Sequence, residues 1–281
     1  MRLKPTPSRP RSRWHSREQR IAHVRRHLTF TCEGTQLVAT LDEAPGSTGL
    51  LLVTGGNEVR SGAWAGQAQF AAQVAAAGYP VFRFDRRGCG DSEGVNAEFR
   101  SSAPDLGAAL AAFRAECPRL TRVAGMGNCD AASALMLAGG AGCDGLILSN
   151  PWTFEADAAD EAPPQAVRSH YRDRLKDLGA IKRLLTGQVA IGPLLKSLLS
   201  AARPAAAPSS LAQEMAAGLE AYAGHVRFLV ADRDRTGQAF AAAWGNSAPI
   251  GRCPGATHSF VEADARAWLL QQTLRALQEL G

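Results

Sequence analysis

Three residues in this chain have the types and the order for covalent acyl chemistry: Cys129, then Asp234, then His258. A thiol becomes a working nucleophile when an imidazole takes its proton. A carboxylate behind the imidazole fixes the tautomer and steadies the imidazolium that forms. Cys129 lies in Val123-Ala124-Gly125-Met126-Gly127-Asn128-Cys129-Asp130-Ala131-Ala132, which reads as a short strand, a tight turn and the start of an Ala-rich helix. A turn of this kind, a nucleophile elbow, strains the backbone of its central residue, so the positions two before and two after must be small. Here they are Gly127 and Ala131. The negative charge that develops on an acyl oxygen needs donors aimed at it. The candidates are the backbone N–H of Asp130 and that of Asn57, in the turn Gly55-Gly56-Asn57.

Other readings compete for the same residues. Gly125-Met126-Gly127 opens like a dinucleotide fingerprint, but Asp130 stands where a third Gly is needed, and its carboxylate would repel a pyrophosphate. Cys129 could be an inert core thiol, since free Cys is among the most buried residue types. The loop Asp85-Arg86-Arg87-Gly88-Cys89-Gly90-Asp91-Ser92 could be read as a phosphate cradle, yet no Lys-Ser/Thr follows it, and a structural loop is the default. Asp232 competes with Asp234 for the acid. Asp234 is favoured because it stands farther out in the loop, where its side chain can turn toward the histidine, whereas Asp232 is close enough to the strand end to be a turn residue.

These residues need elements to position them. His27 to Cys32 and Gln36 to Leu41 alternate apolar and polar residues around Glu33-Gly34-Thr35, as an opening hairpin does. Gly49 to Thr54 is a continuous apolar run, the mark of a strand covered on both faces. The chain then alternates: helix Trp64–Ala77, strand Val81–Asp85, helix Asp105–Glu116, strand Arg122–Met126, helix Asp130–Ala138, strand Gly145–Ser149. Such alternation predicts an α/β fold with a mostly parallel central sheet and helices on both faces. Strands at His225–Val230 and near Ile250 and a terminal helix through Trp268, Leu269, Leu274 and Leu277 complete it. Reactive loops gather at the carboxyl ends of such strands, which is where Cys129, Asp234 and His258 all fall. Between Asn150 and His225 the rhythm breaks. The Leu pairs at 184–185, 194–195 and 198–199 there predict a helical lid insertion over about residues 153–222.

The composition narrows the class. The net charge of +5 is misleading, because Met1 to Arg26 carries nine Lys or Arg against Glu18 alone, leaving about −3 for the rest. Residues 1–26 read as a basic disordered tail and 27–281 as the folded domain; the body is not a nucleic-acid binder by charge. Six scattered Cys without a C-x-x-C pair argue against structural zinc or a secreted disulfide scaffold, and point to a reducing compartment. No run reaches the roughly 18 apolar residues of a membrane span. Neither a cofactor nor a metal is expected.

Several motifs together are similar to those of the exosortase A system-associated hydrolases, within the α/β-hydrolase superfamily. They are Arg83-Phe84-Asp85 with Arg87-Gly88-Cys89-Gly90-Asp91-Ser92-Glu93-Gly94, Gly127-Asn128-Cys129-Asp130-Ala131-Ala132-Ser133, Asn150-Pro151-Trp152, and Ala256-Thr257-His258-Ser259-Phe260. The similarity runs from about His27 to the C-terminus. Gly55 replaces the His frequent before the oxyanion turn of the superfamily, and Ala131 replaces the second Gly of its elbow. The resemblance implies a bacterial cytoplasmic enzyme linked with exopolysaccharide production and protein sorting. Mechanism adds that an acyl-cysteine suits a thioester or ester on a small molecule or carrier. Hydrolysis is the expected outcome. Transfer of the acyl group to an acceptor, or a non-catalytic hydrolase-fold binding protein, are the alternatives.

Overall fold

The computed structural model describes residues 24–154, 209–245 and 247–281. Its centre is an eight-stranded sheet in the order β1-β2-β4-β3-β5-β6-β7-β8. The strands are β1 (Arg25–Cys32), β2 (Thr35–Asp42), β3 (Thr48–Val53), β4 (Val81–Phe84), β5 (Arg122–Asn128), β6 (Gly145–Ser149), β7 (His225–Ala231) and β8 (Ile250–Cys253). β2 runs antiparallel to both β1 and β4, and every pairing from β4 to β8 is parallel. The mostly parallel sheet expected from the alternation is therefore present. All six residues of β3 are buried, as its unbroken apolar run requires at the middle of a sheet covered on both faces.

Among the described residues the helices are α1 (Gly66–Ala76), α2 (Ala103–Glu116), α3 (Asp130–Leu137), α4 (Ser210–Glu220), α5 (Arg235–Trp244) and α6 (Ala263–Leu280). They divide between the faces. Leu106, Phe113, Leu135, Leu211, Met215 and Phe240, from α2 to α5, share one core with Phe82, Leu148 and Phe228 of the sheet. On the other face Ala71 and Val74 of α1 and Leu277 of α6 pack on Leu50, Leu52, Met126 and Ile147.

Three details differ from the sequence reading. β1 begins at Arg25, so Arg25 and Arg26 belong to the sheet edge rather than the tail: Arg25 Nε donates to Asp42 at 2.6 Å, and Arg26 pairs with Glu43 and Glu116. Opposite charges on neighbouring elements, invisible as such in the sequence, draw these two arginines into the fold. Residues 1–23 lie outside the described residues. Residues 155–208, the greater part of the expected lid and all of its Leu pairs, also lie outside them. The end of that insertion is instead part of the body. α4 starts at an Ser209 cap whose Oγ accepts the Ala212 N–H at 3.1 Å, and its Leu211 and Met215 are buried in the core. Gly218 permits this packing, because a Cβ there would overlap the Met136 carbonyl oxygen of α3. The third difference is α5, a helix the sequence reading left unassigned between β7 and β8.

Candidate active site

The turn from β5 into α3 places Cys129 at φ +61° and ψ −127°, in the region that favours glycine. Cys129 is a free, half-buried thiol. The strain is enforced from both sides: a Cβ at Gly127 would sit 2.6 Å from the Ala131 carbonyl carbon and 2.7 Å from the Ala132 nitrogen, and Ala131 is itself fully buried. The small residues that the elbow calls for are thus needed because strand and helix touch there.

The loop after β7 contributes the acid candidate. Asp234 caps α5, its Oδ2 accepting the Gly237 N–H at 2.9 Å, and the same oxygen accepts from His258 Nδ1 at 3.0 Å. Its side chain is 8% exposed against 37% for that of Asp232, which faces Arg252 at 3.5 Å. Of the two aspartates, Asp234 is the one beside the histidine. His258, on the loop after β8, donates from Nδ1 to Asp234, and Cys129 is near enough to act on its ring. The bond to the Asp234 carboxylate, then the bond to Cys129, outweigh partial burial and push the His258 imidazole up to about 10. The ring therefore holds its second proton at neutral pH.

Two asparagines missed by the sequence reading as site residues hold this arrangement together. Asn150 Nδ2 donates to the His258 carbonyl at 3.1 Å and to Asn128 Oδ1 at 3.1 Å, while its Oδ1 accepts the Ala231 N–H at 2.8 Å. Asn128 Nδ2 lies 3.3 Å from the same His258 carbonyl and 3.5 Å from Nε2 of the ring. One buried amide thus ties the ends of β5, β6 and β7 to the histidine loop. Its signal in the sequence was a polar residue closing the apolar run of β6, just before Pro151. Just before the histidine, Thr257 donates through its N–H and Oγ1 to Glu262, at 3.2 and 2.8 Å.

The turn Gly55-Gly56-Asn57 lies against the start of α3. Gly56 N–H donates to both oxygens of the Asp130 carboxylate at 2.7 Å, and Asn57 Oδ1 accepts from Asn96 at 2.5 Å. This puts the proposed oxyanion turn next to the elbow. Behind it, a cavity of about 230 Å³ is lined by Arg86, Asn96, Ser102 and Asp105 among others, and does not reach Cys129 or His258. No group of three or more His, Cys, Asp or Glu side chains suited to a metal occurs among the described residues. Among the same residues no helix is long and apolar enough to cross a membrane.

Comparison with known proteins now bears on the site. The model of the alpha/beta hydrolase family matches residues 50–272. The chain belongs to the alpha/beta hydrolase family. That match spans the elbow, the loop after β7 and the histidine loop. No curated protein matches the sequence. Among solved structures, the Pyrococcus furiosus esterase Pf2001 is similar at 14% identity and TM-score 0.60, over 98% of this chain and 100% of that chain. The alpha/beta hydrolase GrgF from Penicillium sp. sh18 is similar at 17% identity and TM-score 0.59, over 91% and 98%. Est1E from Butyrivibrio proteoclasticus, with ferulic acid bound, is similar at 15% identity and TM-score 0.55, over 90% and 96%. At these identities the likeness is one of fold.

Proposed function

We propose that this alpha/beta hydrolase cleaves ester or thioester bonds through an acyl-cysteine on Cys129. The observation that carries the reading is the line of Asp234, His258 and Cys129: a carboxylate 3.0 Å from His258 Nδ1, and a thiol against the same ring at a strained elbow. An imidazole that keeps its proton to about 10 is a poor base toward a hydroxyl but a suitable partner for a thiolate. In this reading the Cys129 sulfur attacks as the thiolate, with His258 as its imidazolium partner.

In the first half-reaction the Cys129 sulfur attacks the acyl carbon, and the carbonyl electron pair moves onto oxygen toward the N–H groups of Asp130 and Asn57. The intermediate collapses with cleavage of the bond to the leaving group, which takes a proton from His258 and departs as thiol or alcohol. Neutral His258 then draws a proton from water as the water oxygen attacks the acyl-cysteine. Collapse releases the carboxylic acid and restores the thiolate and imidazolium. The Asp234 carboxylate holds Nδ1–H throughout.

A thioester suits this site better than an amide, since one thiol replaces another at little net cost. The esterases among the structural neighbours lend support to esters as well. The motif resemblance to the exosortase A system-associated hydrolases supports a place for this acyl chemistry beside bacterial exopolysaccharide production and protein sorting. The reading is tested by screening acyl-CoA, acyl-carrier thioesters and p-nitrophenyl esters of varied chain length against the wild type and Cys129→Ala. Turnover by the wild type and its loss in the variant are expected. Full turnover by Cys129→Ala overturns the assignment.

A further inference from the structure

A buried arginine and the residue after the nucleophile converge on one glycine. Gly56 N–H is held by the Asp130 carboxylate at 2.7 Å, and Gly56 C=O accepts from Arg86 Nη2. The two side chains also face each other, Arg86 Nη2 lying 3.7 Å from Asp130 Oδ2. Arg86 is 4% exposed, donates through Nη1 to Ser102 Oγ at 3.0 Å, and leaves its Nε without a partner among the described residues. An unpaired buried N–H is costly, so this placement needs a return.

The return lies in the geometry of the peptide plane. In a trans peptide the C=O of one residue and the N–H of the next point in opposite directions. Arg86, by holding Gly56 C=O, therefore fixes the direction of the Asn57 N–H. The preceding plane is fixed as well, since Gly55 C=O accepts the Glu58 N–H at 3.1 Å while Gly56 N–H is held by Asp130. Gly56 itself sits at φ +55°, in a conformation where a peptide can rotate unless something holds it. The Asn57 N–H has no hydrogen-bond acceptor among the described residues.

We infer that Asp130 and Arg86 clamp the Gly56 peptide and so aim the Asn57 N–H at the acyl oxygen. They are positioning residues, acting through a backbone donor. The inference rests on the acyl-cysteine reading above. It gives the Asp130 side chain a task distinct from that of its backbone N–H, and gives Arg86 one in a loop whose sequence suggested only structure. It also accounts for Gly55. A Cβ there would overlap Asp130 Oδ1, so Gly55 is the residue that lets the carboxylate reach Gly56.

The test separates oxyanion formation from thiol reactivity. Acylation of Cys129 by a p-nitrophenyl ester develops an oxyanion, whereas alkylation of the same sulfur by iodoacetamide does not. Both rates are measured across pH for wild type, Asp130→Asn, Arg86→Lys and Gly55→Ala, with circular dichroism to confirm folding. Each folded variant should lose about tenfold or more in acylation, less than the roughly hundred- to thousandfold cost of removing an oxyanion donor outright, while alkylation stays within about twofold. KM should change little beside kcat, and Asp130→Asn combined with Arg86→Lys should lose no more than about the larger single loss. Gly55→Ala displaces the carboxylate without removing a charge, and keeps the test alive if Arg86→Lys does not fold. Acylation at the wild-type rate in folded variants overturns the clamp, as does an equal fall in alkylation. Absence of Cys129 acylation in the wild type overturns the acyl-cysteine reading itself, and the clamp with it.

Discussion

Asp234 does two things with one oxygen: it caps α5 through Gly237 N–H and accepts Nδ1–H of His258. Asparagine can keep the cap while leaving the wrong histidine tautomer accessible. Asp234→Asn should therefore lower kcat by roughly a hundredfold or more at nearly unchanged stability. Asp232→Asn, at an exposed carboxylate beside Arg252, should remain near wild type, and steady-state kinetics on one ester decides between them. The histidine carries a second prediction. Its folded pKa of about 10 lies above the ordinary value of 6.5, so the folded state binds the proton more tightly than the unfolded chain. That stabilisation is complete below about 6.5 and is lost as pH rises through about 10. His258→Gln should accordingly lower Tm most in mildly acidic buffer, and the difference should shrink toward about pH 10.5. Since the bond to Cys129 contributes to the raised value, Cys129→Ala should move the His258 titration downward when followed by NMR.

At the scale of elements, the site depends on contacts between strand ends. Gly127→Ala would force a methyl against the backbone of Ala131 and Ala132, costing about 1–3 kcal/mol and displacing the Cys129 turn. Loss of acylation together with a lowered Tm is expected. Asn150→Ala would leave the buried Ala231 N–H unpaired, at about 1–3 kcal/mol, and free the histidine loop. Denaturant unfolding measures the first effect and kcat the second. These elements also show what the sequence can reveal. β3 and β5 were legible because buried parallel strands are written as apolar runs, and the elbow because sterics demand small residues at 127 and 131. Asn150 was not, because its partners Ala231 and His258 come from distant parts of the chain and meet only in the sheet. Arg25 and Arg26 were misread for the same reason, their acidic partners standing on β2, just after it and on α2. α5 escaped because only two of its apolar residues, Phe240 and Trp244, are large, the others being alanines. α4 reads as lid because the break in rhythm extends from Asn150 to β7.

At the scale of the whole molecule, three loops at the carboxyl edge of one sheet bring Cys129, Asp234 and His258 together across the chain. A hydrolase and a transferase would use the same three residues; the outcome depends on whether water or another acceptor reaches the acyl-cysteine. Hydrolysis predicts that added alcohols and amines capture little of the acyl group, and product analysis by chromatography reads that partition. Transfer rising with acceptor concentration to dominate would identify a transferase. Both outcomes need the covalent intermediate. The most direct measurement is rapid quench of the enzyme with excess p-nitrophenyl ester or acyl thioester, followed by intact-mass and peptide mass spectrometry. A burst of leaving group approaching one per active site, and an acyl adduct on the peptide containing Cys129, are the predicted result. An adduct on another residue, or turnover with neither burst nor adduct alongside unimpaired Cys129→Ala, would contradict the account.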